Sequence, residues 1–319
     1  MTDRASSGHV VALCGGVGGA KLAQGLSLVV PPRDLTLIVN TGDDFHYLGL
    51  AISPDLDSVL YALSGLSDPV RGWGRRDETW TFMAALKSLG GDSWFQLGDG
   101  DLAMHVQRTR LLSAGASLAT VTTHFCRALG IAVNVVPMSD DPVRTRLLTD
   151  QGWLDFQDYF VRHQCTPKVR ELDYSGAATA AAHSEALAAL RRPDLRAVVI
   201  CPSNPFLSVE PILAVSGLRA AVQQATAPVV AVTPIIGGKA VKGPAAKMLV
   251  ELGLVANAEA VARRYAGLLD AFVYDQSDAA PGAMPGVRMV AAQTLMKNTN
   301  DRKALAEATL AVADASATN

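Results

Sequence analysis

The stretch HVVALCGGVGGAK, residues 9–21, decides the fold that we predict for this chain. An apolar run at residues 10–13 leads into four glycines, and a helix-like run follows at residues 20–29. This order is typical of a buried strand, a tight turn and a helix. Free N–H groups at a helix start attract anions, and glycines let a phosphate approach the backbone. The predicted phosphate-site residues are Gly15, Gly16, Gly18, Gly19 and the cation Lys21.

The glycines also allow a second interpretation, in which they only let a helix pack closely on a strand. The stretch does not complete either of the two common nucleotide-binding sequence motifs. A phosphate-binding P-loop needs Lys-Ser/Thr after its last glycine, but Ala20 follows Gly19. A dinucleotide fingerprint that begins at Gly16 has Lys21 in place of its third glycine. The stretch therefore predicts an anion site without naming a cofactor.

The bulk composition limits the function classes. The chain has 319 residues and a net charge of −2, so a large core is expected and no basic field favours nucleic acid. No apolar run is long enough to span a membrane, and the polar start MTDRASSGH lacks a signal-peptide core. The four cysteines show no CxxC spacing. We expect a cytoplasmic protein that binds neither nucleic acid nor membrane.

Strand and helix signals alternate at both ends of the chain. This predicts an α/β fold, Rossmann-like, with a mostly parallel sheet and helices on both faces. Residues 65–130 carry three amphipathic helices and no strand signal, so we predict one domain over residues 1–319 with a helical insertion that caps the sheet. Other predicted elements are a hairpin at residues 143–156 and long helices at residues 177–190 and 211–225.

Acidic residues follow the second predicted strand, at residues 35–39. They occur in NTGDD, residues 40–44, and in SPDLD, residues 53–57, where Ser53 and Pro54 predict a helix start. Carboxyl ends of parallel strands gather ligands, and Mg²⁺ combines carboxylates with phosphate oxygens. A carboxylate can also deprotonate a hydroxyl. Residues two apart do not share a helix face, so at most one of Asp55 and Asp57 should face the site. Alternatively, all these acids only cap helices and turns.

Three other segments are weaker candidates for ligand contacts. His105, on a predicted helix, is either structural or a ligand contact. The arginines at positions 71, 75 and 76 bind an anion or lie in a solvated loop. The loop Pro202-Ser203-Asn204-Pro205 either reads a purine edge or simply ends a strand.

Eight segments carry a resemblance that covers nearly the whole chain in order. They are GGVGGAKL from residue 15, VNTGDDFHYLGLAISPDLDSVLYAL from 39, RGWGRRDETW from 71, WFQLGDGDLAMHVQRT from 94, VVPMSDDPV from 135, FQDYFV from 156, CPSNPFLSVEPILAV from 201 and TPIIGGKAVKGPAAK from 233. Together they resemble the 2-phospho-L-lactate transferase family of coenzyme F420 biosynthesis.

The resemblance implies a Mg²⁺-dependent group transfer. A guanosine diphospho-activated three-carbon acid is the donor, and the deazaflavin Fo is the acceptor. The terminal 5'-hydroxyl of the ribityl chain of Fo attacks the phosphorus that bears the acid, giving F420-0, or its dehydro or phosphoglyceryl form, and GMP. No residue selects among 2-phospholactate, phosphoenolpyruvate and 3-phosphoglycerate, and a homodimer stays open.

The resemblance also implies roles for the residues found above. The glycines of the first loop, Ser203 and Asn204 would hold the guanosine diphosphate. Asp57 would be the essential catalytic or metal-binding aspartate, with Asp43 as the other metal ligand. The residues implied on the Fo side are Asn40, Thr41, Asp44 and His105.

Three positions depart from the resembled family. Glu210 and Ser216 stand where a glycine and a proline are usual, and Met104 replaces a threonine beside His105. A carboxylate at residue 210 suits a helix start but is unfavourable beside a diphosphate.

Two alternatives from other classes stay open. The first is a non-enzymatic regulator that binds nucleotide sugars, from a neighbouring family that tends to continue with Gly-Gly-Ser-Ser where this chain has Phe45-His46-Tyr47. The second is an NAD-type oxidoreductase in which Asp43 or Asp44 bonds a ribose hydroxyl, which the incomplete fingerprint disfavours.

Overall fold

The computed structural model describes residues 8–317. Its strands are β1 (His9–Cys14), β2 (Leu35–Val39), β3 (Phe45–Tyr47), β4 (Leu50–Ile52), β5 (Asn134–Pro137), β6 (Arg144–Thr149), β7 (Gly152–Asp155), β8 (Val169–Ser175), β9 (Leu195–Ile200), β10 (Val229–Val232), β11 (Ile235–Ile236), β12 (Lys239–Ala240), β13 (Ala271–Asp275) and β14 (Arg288–Ala292). Its α-helices are α1 (Gly16–Val29), α2 (Pro54–Ser64), α3 (Thr81–Ser88), α4 (Asp99–Ser113), α5 (Leu118–Ala128), α6 (Ser184–Leu190), α7 (Glu210–Ala214), α8 (Leu218–Gln223), α9 (Ala245–Glu251), α10 (Ala258–Arg264) and α11 (Thr299–Ser316).

A seven-stranded sheet forms the centre, in the order β5-β2-β1-β9-β10-β13-β14. All its pairings are parallel. Numbered along the chain, these strands lie in the order 3-2-1-4-5-6-7, which is Rossmann-like, as predicted. The strand order reverses between β1 and β9, and the loops that follow these two strands therefore meet at the carboxyl edge.

The core lies on both faces of this sheet. Every residue of β1 and β2 is buried. Val11 and Leu13 point into one hydrophobic cluster, and Val10 and Ala12 point into the other. A strand that is covered on both faces reads as a continuous apolar run, which is why β1 shows no polar alternation in the sequence.

Two long helices of the sequence prediction are wrong. The predicted helix at residues 177–190 is helical only in α6, because turns fill the part that follows Gly176, whose φ is +87°. The predicted helix at residues 211–225 is broken into α7 and α8 by Gly217, with a φ of +86°. Ser216, one of the departures, lies at this break.

Smaller elements surround the sheet. The predicted hairpin is confirmed as the antiparallel pair β6–β7, and β8 extends it to three strands. The hairpin β3–β4 and the edge strand β14 were not predicted. Helices α3, α4 and α5 occupy the predicted insertion, whose status as part of a single domain stays a prediction. None of the helices in residues 8–317 combines the length and apolarity of a membrane span.

Candidate active site

The glycine segment packs against the loop that follows β9. Helix α1 begins at Gly16, earlier than predicted, so three of the four glycines lie in its first turn. A Cβ on Gly18 would overlap the carbonyl oxygen of Pro202, and one on Gly19 would overlap Ser203 Oγ. Ser203 Oγ donates to the carbonyl of Gly15 at 2.8 Å. Close packing, the second interpretation of these glycines, is therefore one reason for them.

Gly18→Ala should lower the free energy of unfolding by about 2 kcal/mol, because the new methyl group meets a backbone carbonyl that cannot move aside. Gly100→Ala in α4 is the matched control, since its Cβ meets only the ends of the flexible Arg75 and Glu78 side chains. Urea denaturation of both variants is the measurement. Equal stability of the two variants would contradict the clash.

Asn40 holds two buried aspartates in place beside α1. Its amide donates to Asp43 Oδ1 at 3.3 Å and to Asp55 Oδ2 at 2.9 Å. The N–H of Gly16 donates to Asp55 Oδ1 at 2.6 Å, and the N–H of Asp55 donates to Asp43 Oδ2 at 3.0 Å. The helix start, the end of β2 and the start of α2 are thus joined through carboxylates.

The carboxylates of Asp43, Asp44 and Asp55 lie near one another at the end of β2 and the start of α2. Burial raises the pKa of Asp43 well above its usual range, and the negative charges of Asp55 and Asp44 add to the rise. Burial also raises the pKa of Asp44 to about 7, against the opposing charge of Arg144. Asp44 Oδ2 accepts from Ser53 Oγ at 2.8 Å, whereas its buried Oδ1 has no hydrogen-bond partner. A divalent cation would relieve this repulsion.

The loss of the Asp44 proton should make the metal-free protein less stable as the pH rises from about 4 to 7. Asp44 has a folded-state pKa of about 7 and an unfolded value of about 3.9. The folded state therefore holds a proton that the unfolded state lacks, and this stability is lost as the pH passes through the folded pKa. With a chelator present, the thermal midpoint of Asp44→Asn should fall less over this pH range than that of the unchanged protein. An equal fall in Asp44→Asn and in the exposed control Asp77→Asn would contradict the assignment.

Asp57 faces helix α4 and pairs with Arg108, a residue that sequence analysis missed. Arg108 Nη1 donates to Asp57 Oδ2 at 3.2 Å, and Nη2 contacts Asp57 Oδ1. His105 Nδ1 lies 3.7 Å from Asp57 Oδ2, and His105 Nε2 lies 3.3 Å from Asp101 Oδ2. Arg108 follows His105 by three residues, so the helical spacing was the available signal.

One cavity of about 510 Å³ collects most of the predicted site residues. Those that line it are Gly15, Gly16, Gly18, Lys21, Asp43, Asp57, His105, Ser203 and Asn204. Asp55 lines it too, so the expectation that only one acid of SPDLD faces the site is wrong. The cavity passes around the start of α2, where Asp55 faces Gly16 and Asp57 faces α4.

The other predicted residues lie off this cavity. Gly19, Asn40 and Thr41 are not on its wall, and Asn40 is fully buried behind it. Asp44 lines a neighbouring cavity of about 450 Å³, which shares Asp43 with the first.

Lys21 and Asn204 are both tied to neighbouring backbone. Lys21 Nζ donates to the carbonyl of Met296 at 3.1 Å, and burial lowers its pKa. Asn204 Oδ1 accepts from the N–H groups of Phe206 and Leu207 at 3.0 and 3.3 Å, which leaves its amide nitrogen toward Met248. Both side chains are thus held at the cavity wall.

The arginine-rich loop contributes aromatic and glycine surface to the wall. Trp73 and Gly74 line the cavity. Arg71 instead pairs with Asp68 at 2.8 Å, and Arg75 lies 3.5 Å from Glu78. These ion pairs favour a structural role for the two arginines.

Two of the departures have a local explanation. Glu210 pairs with Arg264 at 2.6 Å and accepts from the hydroxyl of Tyr174 at 3.0 Å. It is absent from the cavity wall, so its charge is compensated away from any diphosphate there. Met104 Sδ lies 3.6 Å from the hydroxyl of Tyr61, which donates to Asp101 at 2.5 Å.

Two sets of side chains could supply ligands to a metal ion. Asp57, Asp101 and His105 offer ligand atoms within 4.8 Å of one another, but both oxygens of Asp57 already contact the Arg108 cation. Asp43 and Asp55, with Asp44 adjacent, offer only oxygen, which Mg²⁺ prefers. Burial raises the pKa of both Asp43 and Asp55, and the neighbouring carboxylates add to the rise for Asp43. By ligand chemistry the second set, which includes the predicted ligand Asp43, suits Mg²⁺ better, whereas among the described residues the first set is the one that brings three ligand atoms within 4.8 Å of one another.

Comparison with known proteins places this chain in a family. The family model described as 2-phospho-L-lactate transferase CofD matches residues 10–317. A phosphoenolpyruvate transferase of Kitasatospora aureofaciens is 42% identical over 316 residues, which cover 96% of this chain and 98% of that protein. A 2-phospho-L-lactate transferase of Methanosarcina mazei is 38% identical over 301 residues, covering 93% and 98%.

A solved structure supports the fold alone. It is a member of the UPF0052 family from Bacillus halodurans, with a TM-score of 0.63 and 18% identity, covering 96% of this chain and 99% of that chain. The match along residues 10–317 and the identities near 40% decide the family. The chain belongs to the 2-phospho-L-lactate transferase family of coenzyme F420 biosynthesis.

Proposed function

We propose that the protein transfers a phospho-three-carbon-acid group from a guanosine diphospho-activated donor to the ribityl 5'-hydroxyl of Fo, giving an F420-0-type product and GMP. The observation that carries the proposal is the single cavity that joins the start of α1, Asp43 and Asp57. An anion site, oxygen ligands for a cation and a carboxylate near an acceptor are the three parts that a phosphoryl transfer needs. The names of the relatives keep phosphoenolpyruvyl and 2-phospholactyl groups as the first candidates.

The donor would lie where the strand order reverses. Gly16 and Gly18 expose the start of α1 to the cavity, and Lys21 adds a positive charge. Ser203 and Asn204 face them from the loop after β9. Rossmann-like sheets bind nucleotides at this point, where helix N-termini meet the phosphates. We therefore propose that these residues hold the guanosine diphosphate part.

Mg²⁺ is the proposed cofactor, with Asp43 as its principal ligand. The buried Asp44 Oδ1, which has no hydrogen-bond partner, and the neighbouring carboxylates of Asp43 and Asp55 support this choice. When bound, the ion would neutralise charge on the transferring phosphoryl group. The predicted metal contact of Asp57 stays a prediction, because both of its oxygens contact Arg108.

The acceptor would lie under the cap formed by α3, α4 and α5. His105, Tyr61 and Phe95 line this end of the cavity. The proposed role of Asp57 is to accept the proton of the ribityl hydroxyl of Fo. At the same time the oxygen of that hydroxyl forms its bond to phosphorus. The bond from phosphorus to the oxygen of GMP breaks, and GMP leaves with the electron pair. Asn40, behind the wall, would orient Asp43 and Asp55 through its amide, and the Fo contact of Thr41 stays a prediction.

Mass spectrometry tests the proposal. The purified protein is incubated with Mg²⁺, Fo and each of three donors, which carry phosphoenolpyruvyl, 2-phospholactyl or 3-phosphoglyceryl groups. A product mass from one donor is the expected result, and it also names the acid. If Fo does not bind while nucleotide sugars do, the regulator alternative replaces the transferase.

A further inference from the structure

Arg108 is one of the largest fully buried side chains, with 1% of its surface exposed. It comes from α4 in the cap, whereas its partner Asp57 comes from the first turn of α2, 51 residues earlier. A buried guanidinium is costly unless its donors are satisfied. Its position therefore depends on the groups that surround it.

Four groups enclose the guanidinium. Asp57 takes two of its N–H groups, one on each carboxylate oxygen. The carbonyl of Ala51 lies at 3.5 Å, and the ring of Phe125 lies 5.5 Å below the guanidinium carbon. His105 Nδ1 lies 3.0 Å from Nη1. Because arginine only donates, Nδ1 must accept, and the histidine proton lies on Nε2.

Arg108 does not line the cavity, whereas Asp57 and His105 do. It therefore lies behind the two side chains that would meet the acceptor, and it contacts both. A planar guanidinium that grips both oxygens fixes the plane of a carboxylate as well as its position. A lysine at this position would keep the positive charge but could not donate two parallel hydrogen bonds to the carboxylate.

We infer that Arg108 is a positioning residue for the transfer reaction, which orients the carboxylate of Asp57 toward the acceptor hydroxyl. The inference rests on the proposed function. It predicts a loss in turnover with no loss in donor binding, since the guanosine site lies at the other end of the cavity. A purely structural role would change the melting temperature and leave the turnover of the folded enzyme unchanged.

The test compares Arg108→Lys with Arg110→Lys, the matched control on the exposed side of the same helix. Steady-state kinetics use Fo, Mg²⁺ and the guanosine-activated donor that gives product with the unchanged protein. Each variant is assayed well below its own thermal midpoint. We expect kcat of Arg108→Lys to fall about 10²-fold, with the donor KM unchanged, because a displaced catalytic group costs about that much.

A kcat of Arg108→Lys within twofold of that of Arg110→Lys would overturn the inference. A raised donor KM with unchanged kcat would do the same. If Arg108→Lys does not fold, Phe125→Leu removes the ring beneath the guanidinium and should lower kcat several-fold by the same route. If the unchanged protein forms no product with any donor, the transferase proposal fails, and the role of Arg108 falls with it.

Discussion

Asp57→Asn should reduce product formation from Fo about 10³-fold. The amide keeps the shape of the carboxylate but cannot accept the proton of the ribityl hydroxyl, and proton transfer of this kind contributes on the order of 10²–10⁴-fold. The variant also leaves the buried Arg108 without its carboxylate, so the free energy of unfolding should fall by about 3 kcal/mol. The measurement is the rate of product formation at a temperature where circular dichroism shows the variant to be folded.

Asp77→Asn is the control for this change. Asp77 is 86% exposed at its side chain and forms only a weak contact with Arg76 at 3.5 Å. Its variant should retain full activity and stability. Full activity in Asp57→Asn would remove Asp57 from the mechanism, although the donor and acceptor could stay the same.

Asp43→Asn should lower the rate more than 10²-fold and weaken the response to Mg²⁺. Asp43 lies among the acids that fit the ion, and metal stabilisation of transition-state charge is worth several kcal/mol. At about 1.4 kcal/mol for each factor of ten, the loss exceeds 10²-fold. A ligand that binds only the folded state raises the thermal midpoint, so Mg²⁺ should stabilise the unchanged protein.

The thermal shift separates binding of the metal from catalysis. We expect Mg²⁺ to raise the midpoint of Asp77→Asn as much as that of the unchanged protein, and to raise that of Asp43→Asn much less. An equal shift in all three proteins would mean that the ion binds elsewhere. The cluster of Asp57, Asp101 and His105 would then be the next place to examine.

The strand–turn–helix unit at residues 9–29 and the parallel sheet could be predicted because their signals are local. A run such as residues 10–13 is apolar because its strand is covered on both faces, and glycines mark the turn wherever the strand lies. The carboxyl-edge position of Asp43 and Asp44 also followed, since it needs only the order of strand and loop. Helix breaks were missed where a single positive φ, as at Gly217, ends a strongly apolar run.

The sequence by itself thus determined the fold class and the candidate residues for the nucleotide and the acids. Only the tertiary structure decided which of these side chains line the same cavity. Asp55 and Asp57 both reach one cavity, although Asp55 accepts from Gly16 at the start of α1 and Asp57 from Arg108 of α4, which spacing along a helix cannot reveal. Glu210 is neutralised by Arg264, and Asp57 is held by Arg108. Pairings of this kind join segments far apart in the chain, so their distances are set by packing and not by local pattern.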